Sequence, residues 1–236
     1  MWETNVAPGV RLLTRRGFVT VVAAGGALAL VIVLVIVSVV ASGGPVAVGE
    51  DRSTCGLPGF ERESSLAKAP EVEWEAIGTV SVPVDPQVGP GKVDDHGLRT
   101  CFAHTAQGAL YAVVNYVAAS ADPRTNDYAT QLLEPGPGRD VLEADEPEED
   151  WVPDYGYSPS ARLQVAGFKV NSYTSDEALI DVVWRVSSYS EQLMSVPLVL
   201  HWTEGDWKVV VTDDGATQYP AAPLSSLGGY IPWAAP

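Results

Sequence analysis

The residues best suited to chemistry in this 236-residue chain are three histidines and two cysteines. His96, His104 and His201 stand far apart, and no two of them have the two- to four-residue spacing typical of metal sites. The sequence also lacks a nucleophile elbow, a phosphate-binding loop and a dinucleotide fingerprint. No metal ligand, cofactor or catalytic residue is therefore predicted.

The two cysteines, Cys55 and Cys101, are predicted to form a disulfide, because an even cysteine count in an exported chain favours pairing. Such a bond would close a long loop, and chain-entropy models predict that this closure stabilises the folded state by roughly 4 kcal/mol. Two free thiols are the alternative. A redox pair is not expected, since the sequence contains no C-x-x-C spacing.

An uncharged apolar run occupies residues 18–41, from Phe18 to Ala41, and is long enough to span a hydrocarbon core of roughly 30 Å as a helix. It predicts a transmembrane helix that contacts the lipid bilayer. Three cations precede it: Arg11, Arg15 and Arg16. Because short basic flanks stay in the cytoplasm, the leader 1–17 is predicted to be cytoplasmic and the rest of the chain extracytoplasmic.

A cleaved signal peptide is the competing interpretation of the same run. Val40, Ala41 and Ser42 form a small-residue cleavage context, and Arg15-Arg16 resembles a twin-arginine export signal. Signal-peptide apolar regions are usually only about 7–15 residues long, which favours a retained anchor. Both interpretations place the remaining chain outside the cytoplasm.

The net charge of −16 makes direct nucleic-acid binding unexpected, because an acidic surface repels the phosphate backbone. Three segments follow the apolar run. They are predicted as a flexible stalk at 42–73, a folded domain at 74–215 and a Pro/Gly-rich apolar tail at 216–236. The proline-broken stretch 74–90 is predicted to lie extended across the domain surface.

The folded domain is predicted to contain helices first and strands second. Thr105 is a plausible N-cap for a buried helix ending near Ser120, and a weaker helix is expected over 126–133. The apolar period then changes to two, with a bulge near Gly167 and four alternating runs. The predicted fold class is α+β, with one or two helices packed on a curved four-stranded antiparallel sheet in a cone-like domain.

Aromatic residues in the tail and loops have two interpretations. Trp184, Trp202 and Trp207 lie on the predicted core faces of strands. Trp151, Tyr230 and Trp233 lie in Pro/Gly-rich segments, where they either pack back on the domain or contact a partner. The uncharged tail is likewise either docked in a groove or an interaction peptide.

The order of helices and strands, ending in GDWKV at 205–209, resembles the nuclear-transport-factor-two-like, or cystatin-like, cone fold. Segments at 74–78, 82–83, 89–91 and 101–110 look like an uncharacterised family of actinobacterial membrane proteins associated with integrative and conjugative elements. That family is similar in layout to the inner-membrane scaffold subunits of type IV secretion machines. The resemblance implies a bitopic protein that contacts other membrane subunits or further copies of itself.

The expected function is a non-enzymatic assembly component of a conjugation or secretion machine. A first alternative is an exported module that holds a ligand or peptide in the cone cavity, with His104 and His201 at its mouth. A second alternative is an exported enzyme, which needs polar groups to meet inside the cavity. The candidates for that set are His104, Tyr111, Asp181 and His201.

Overall fold

The computed structural model describes residues 52–64, 66–144, 162–187 and 192–236. Several sequence-based predictions therefore lie outside the described residues, namely those at Arg11, Arg15, Arg16, Phe18, Ala41 and Trp151. Among the described residues, no helix has the length and apolar character needed to span a membrane.

The predicted buried helix is confirmed as α1, Ala106–Ala121. The Thr105 side chain accepts a hydrogen bond from the Gly108 backbone N–H at 3.1 Å, which satisfies one of the free donors at the helix start. Small and apolar side chains on nearly every face allow the helix to be buried along most of its length. The second predicted helix forms as a 3-10 helix, Asn126–Leu132, and a short helix α2, Pro137–Ala144, follows it.

Ten strands are assigned among the described residues. Their bounds are β1 Glu73–Ile77, β2 Val80–Val84, β3 Lys92–Val93, β4 Arg99–Thr100, β5 Leu163–Tyr173, β6 Glu177–Val186, β7 Gln192–Thr203, β8 Asp206–Val209, β9 Ala222–Leu224 and β10 Ile231–Pro232. Strands β3 and β4 form a small sheet of their own. The other eight form one sheet in the order β1-β2-β5-β6-β7-β8, with β10 beside β5 and β9 beside β7.

The prediction of a four-stranded antiparallel cone is wrong. The predicted meander exists as β5 to β8, including the register shift at Gly167, but it is only the centre of an eight-stranded sheet. That sheet is mixed, because β2 pairs with β5 in parallel through Val80 and Leu163. The added strands are short or rich in proline, so alternation of apolar residues does not reveal them.

The stretch 74–90 differs most from its prediction. Its prolines were expected to keep it out of a ladder, yet Ile77 and Val80 pair across a two-residue turn at Gly78 and Thr79. Gly78 has a φ of 55°, the left-handed conformation that such hairpin turns require. Val82 on β2 is fully buried, so the hairpin supplies core as well as backbone pairing.

The core lies between α1 and one face of the large sheet. That helix contacts β2, β5, β6 and β8, so the sheet curls around it. The sheet contributes alternate residues of β6 to this face, all fully buried: Ala178, Ile180, Val182, Trp184 and Val186. These side chains form an apolar stripe that packs against α1, so the contact buries one face of the sheet and one face of the helix together.

The described part of the predicted stalk packs on the domain instead of hanging free. The Thr54 N–H donates to the Gly205 carbonyl at 2.8 Å, and the Glu61 N–H donates to the His104 carbonyl at 3.1 Å. Farther along, Leu66 packs against the core. Residues 52–72 are named here the N-terminal strap.

The C-terminal tail also docks on its own domain. Strand β9 pairs with β7, and β10 pairs with β5 at Phe168 and Gly167. A Cβ atom on Gly167 would lie 2.8 Å from the Ile231 carbonyl oxygen, so glycine permits this close approach. Trp233 then enters the core with 5% of its surface exposed, beside Trp74 at a ring-centroid distance of 4.8 Å.

We expect Trp233→Ala to lower the free energy of unfolding by about 3–5 kcal/mol, because it leaves a large cavity in the core. Tyr219→Ala is the matched control, since this aromatic side chain of the same tail is exposed, and its effect should stay within about 0.5 kcal/mol. Urea denaturation of the purified chain, followed by far-UV circular dichroism, measures both. Equal effects of the two substitutions would contradict the docked tail.

Candidate functional site

Chemically versatile side chains concentrate at one end of the large sheet. The N-terminal strap, residues 101–106, the β5–β6 turn at 174–176 and the β7–β8 turn at 204–205 all meet there. This region, which contains His104 and His201, is named here the histidine end.

The predicted disulfide between Cys55 and Cys101 is confirmed and joins the N-terminal strap to the segment before α1. The Cys55 N–H lies 3.0 Å from the Cys101 sulfur. A Cβ atom on Gly91 would collide with the Cys55 sulfur at 2.2 Å, so only glycine fits beside the bond. Because structural disulfides persist in oxidising compartments, this bond indicates a domain outside the cytoplasm.

A buried carboxylate, that of Asp206, holds the other side of Cys101. It accepts hydrogen bonds from the backbone N–H groups of Cys101 at 2.7 Å, of Phe102 at 2.9 Å and of Trp207 at 2.9 Å. Cys101 has a φ of 67°, which is costly for a residue with a Cβ atom and persists only where neighbours enforce it. The disulfide and Asp206 together enforce this conformation.

The environment of Asp206 opposes its ionisation overall. Only 4% of its surface is exposed, and this burial raises its pKa, while the three N–H donors act in the opposite direction. Desolvation is the larger effect.

His104 lies in an aromatic stack rather than at the mouth of a cavity. Its ring stacks on Trp202 at 3.8 Å and meets Phe60 edge-on at 5.0 Å, and only 2% of its surface is exposed. Its Nε2 lies 2.5 Å from the Ser175 carbonyl oxygen. Because a carbonyl only accepts, Nε2 must carry the proton. The sequence predicted His104 at the mouth of a cavity. In the structure, Phe60 of the N-terminal strap covers its ring, which the sequence did not indicate.

The start of α1 is occupied by the N-terminal strap. A Glu61 carboxylate oxygen accepts a hydrogen bond from the Ala106 N–H at 3.0 Å, an arrangement favoured by the positive end of the helix dipole. The Tyr173 hydroxyl donates to the Glu61 carbonyl at 3.2 Å, and burial raises the pKa of Tyr173. Glu61 therefore ties the strap, the helix and the sheet together.

His201 lies on the opposite face of β7 from His104. The adjacent Trp202 packs on His104, and successive side chains of a strand point to opposite faces. The Nδ1 atom of His201 lies 2.9 Å from both carboxylate oxygens of Glu134, and its Nε2 lies 3.4 Å from Glu177. This half-buried ring links the residues after the 3-10 helix to β6.

The four candidate residues for an enzyme do not converge. Asp181 accepts from Ser195 at 2.8 Å and from the Tyr230 hydroxyl at 2.7 Å, on the sheet face away from α1. Tyr111 lies in the core, accepts from Gln107 at 3.0 Å, and burial raises its pKa to about 12. Neither forms a hydrogen bond with a histidine in the described part of the chain.

Two residues considered as partner contacts hold the tail instead. Tyr230 bonds to Asp181, and the indole N–H of Trp233 donates to the Pro70 carbonyl at 3.2 Å. Within the described ranges, no group of three or more histidine, cysteine, aspartate or glutamate side chains is placed to hold a metal ion.

Sequence reasoning missed the roles of Asp206 and Glu61. In the sequence, Asp206 stands out only as part of GDWKV at 205–209, and Glu61 only as part of the predicted stalk at 42–73. Their partners are 104 or 105 and 45 residues away along the chain, respectively, so no local spacing marks them.

The chain belongs to a protein family described as a domain of unknown function, DUF8175, whose family model matches residues 37–232. No curated protein matches the chain, and no solved structure does so. The match covers the strap, the sheet and nearly all of the docked tail.

We expect Asp206→Asn to destabilise the fold by about 1–3 kcal/mol, because an amide nitrogen replaces an acceptor facing backbone donors. The substitution should also remove the part of the pH dependence of the free energy of unfolding that comes from Asp206. With a folded pKa above the ordinary 3.8, the unfolded chain loses its proton first, so stability is complete below pH 3.8 and falls as pH rises through the folded pKa.

Urea denaturation across that pH range measures the difference between the two chains. Asp213→Asn, in an exposed turn, is the control and should retain the wild-type slope. The pKa assignment of Asp206 is wrong if Asp206→Asn and the wild type show the same slope.

The disulfide should appear as a gain of two hydrogen atoms in the intact mass after reduction. The double variant Cys55→Ser/Cys101→Ser should lose roughly 4 kcal/mol of stability, because the unfolded chain regains the closed loop's entropy. Alkylation of the unreduced, unfolded wild type should label no thiol. Labelling of both cysteines would refute the bond.

Proposed function

We propose that this member of the DUF8175 family is a single-pass membrane protein that acts as a non-enzymatic assembly component. Its folded domain stands outside the cytoplasm, and its partners are other membrane subunits of a conjugation or type IV secretion-like machine. The observation that carries the proposal is the combination of an apolar run at 18–41 with a disulfide at Cys55.

The first support is topological. The arginines before the apolar run favour a cytoplasmic N-terminus, and the disulfide requires an oxidising compartment for the domain. One membrane crossing between them satisfies both conditions. A retained anchor is preferred to a cleaved signal because the run is longer than a typical signal-peptide core.

The second support is how the buried ionisable groups are used. Four buried aspartate and histidine side chains occur among the described residues, and each holds the fold together: His104 binds the β5–β6 turn, Asp122 binds Arg124 after α1, Asp181 binds the tail and Asp206 binds the segment before α1. Side chains committed to such contacts are poorly placed to act on a substrate. This favours an assembly role over catalysis.

The third support concerns the alternative of a ligand-binding cavity. The space between α1 and the sheet is filled by large side chains with essentially no exposed surface, such as Trp184 and Phe168 from the sheet and Tyr111 from the helix. A ligand between helix and sheet would have to displace this packing. Recognition at the outer surface is therefore favoured, as an assembly component requires.

The type of machine comes from the sequence resemblance at 74–78 and 101–110. Those segments form β1 and the stretch that contains Cys101, His104 and the N-cap of α1. They belong to the part of the domain where strap, helix and sheet are joined. The link to integrative and conjugative elements remains part of the proposal.

We expect a reporter that is active only outside the cytoplasm to be active when it is fused to the C-terminus. A reporter that is active only in the cytoplasm should be inactive in the same position. Replacing Arg11, Arg15 and Arg16 by glutamate should lower the exported fraction, because the positive flank sets the orientation. Lys169→Glu, an exposed change within the domain, is the control and should leave export unchanged. N-terminal sequencing of the mature chain checks retention, and a start after Ala41 would contradict the anchor.

The assembly role is tested by affinity purification of the tagged full chain after cross-linking, from a host that carries a conjugative element. Membrane subunits of the transfer machine should co-purify. A tagged chain that combines Trp233→Ala with Cys55→Ser and Cys101→Ser, whose expected losses together approach the whole stability of a typical domain, separates fold-dependent contacts from contacts of the membrane segment alone. Recovery of no machine subunit with the wild type would overturn the proposal.

A further inference from the structure

The two residues of the disulfide differ in how far solvent can reach them. Cys101 is fully buried, with 0% of its surface exposed. Cys55 is only half-buried, and both of its chain neighbours, Thr54 and Gly56, are exposed. A thiol in solution therefore meets the bond from the side of Cys55.

A hydrogen bond also distinguishes the two sulfurs. The backbone N–H of Cys55 donates to the Cys101 sulfur at 3.0 Å. In thiol–disulfide exchange, a thiolate attacks one sulfur and the other sulfur leaves as a thiolate. Because a hydrogen bond to the charged form favours that form, this N–H stabilises the negative charge that develops on Cys101 when Cys55 is attacked. Attack at Cys101 would place the charge on Cys55 instead, where the Ser53 hydroxyl lies 3.8 Å from the sulfur.

Backbone strain at Cys101 adds to the reactivity of the bond. The φ of 67° at this residue is costly for a side chain with a Cβ atom, and the disulfide is one of the two contacts that enforce it. Strained disulfides are the ones that exchange readily. The second contact survives cleavage, because Asp206 binds the backbone N–H groups of Cys101 and Phe102 and not the sulfur. The Cys101 thiolate therefore stays in place, and the bond can form again.

The bond fastens the beginning of the N-terminal strap to the domain. Two N–H groups of residues 52–57 bond to Ser53 within the same stretch, and that of Thr54 bonds to the Gly205 carbonyl. Farther along, Glu61 binds the start of α1 by a separate hydrogen bond. Cleavage of the disulfide therefore loosens the first residues of the strap, while Glu61 keeps the following part attached.

We propose that Cys55 is the site at which an extracytoplasmic dithiol reductant opens the Cys55–Cys101 bond. A thiolate of the reductant attacks Sγ of Cys55 and forms a mixed disulfide, while the bond to Cys101 breaks and Cys101 leaves as a thiolate. The second thiolate of the reductant then attacks the reductant's own sulfur in the mixed disulfide and releases the Cys55 thiolate. Both released thiolates take up a proton, so the chain gains two electrons and two protons, and the reductant is oxidised to its disulfide.

Exchange at Cys55 is independent of the proposed assembly role, since it needs only the folded domain and a thiol. It changes the attachment of the beginning of the strap. Residues 52–57 become able to move away from Cys101, while α1 and the sheet keep their packing.

The test uses the purified full chain in detergent and reduced glutathione, a monothiol whose mixed disulfide can be mapped. After acid quenching and alkylation of thiols, trypsin places the two cysteines on different peptides, because Arg62 and Arg99 lie between them. Mass spectrometry should find glutathione on Cys55 about tenfold more often than on Cys101, since access decides which sulfur is attacked. In urea, where both sulfurs are exposed, the two adducts should form in similar amounts.

A matched pair of variants checks the access of each sulfur separately. Cys101→Ser leaves Cys55 as a thiol, and Cys55→Ser leaves Cys101. In the folded chain, a maleimide should label Cys55 about tenfold faster than Cys101, and in urea the two rates should be similar. Thermal unfolding checks that both variants are folded, and the glutathione experiment on the wild type stands if one of them is not.

Amide hydrogen exchange of the wild type, before and after reduction by dithiothreitol, measures the loosening of the strap. The Thr54 amide should exchange roughly tenfold faster in the reduced chain, because its stretch has lost its covalent attachment. The Glu61 and Ala106 amides are the controls and should exchange at unchanged rates, since their hydrogen bonds do not involve the disulfide.

Equal amounts of the two glutathione adducts in the folded chain, or an excess on Cys101, would overturn the proposal. So would adduct formation whose rate rises with urea in parallel with global unfolding, since the bond would then be purely structural. Faster amide exchange at Glu61 and Ala106 as well as at Thr54 would contradict the local loosening. Co-purification of machine subunits is read separately, so a failed exchange leaves the assembly role untouched.

Discussion

The carboxylate of Asp206 is the interaction on which much of the structure depends. It lies at the start of β8 and binds the backbone of Cys101 and Phe102, 104 or 105 residues earlier. This contact fixes the segment that leads into α1 and holds Cys101 in a strained conformation where its sulfur meets Cys55. Desolvating an acid in this way is costly, and the three N–H donors offset part of that cost.

Both described ends of the domain fold back on the sheet that this contact organises. The N-terminal strap covers His104 and the start of α1, while the tail covers β5, β7 and the Asp181 carboxylate. Polar side chains attach both coverings, since Glu61 binds the start of α1 and Asp181 binds Tyr230 of the tail.

Local pattern predicted the elements that depend on neighbouring residues. The N-cap at Thr105, the helix that follows it and the bulge at Gly167 were all recognised in the sequence. The disulfide was predicted from cysteine count and compartment. The β1–β2 hairpin and the docking of Trp233 were not settled, because proline content and lack of alternation hide strands whose pairing is set by distant partners.

By itself, the sequence determined the buried helix and the central strands, since these follow from periodicity, and it predicted the disulfide that the structure confirms. Only the tertiary structure decided the eight-stranded mixed sheet, the opposite placement of His104 and His201, and the split of the tail into a docked and an exposed part. The physical reason is distance along the chain. Hydrogen bonds and packing between residues far apart in sequence leave no trace in local periodicity, and they determine which polar groups are buried and which surfaces remain free.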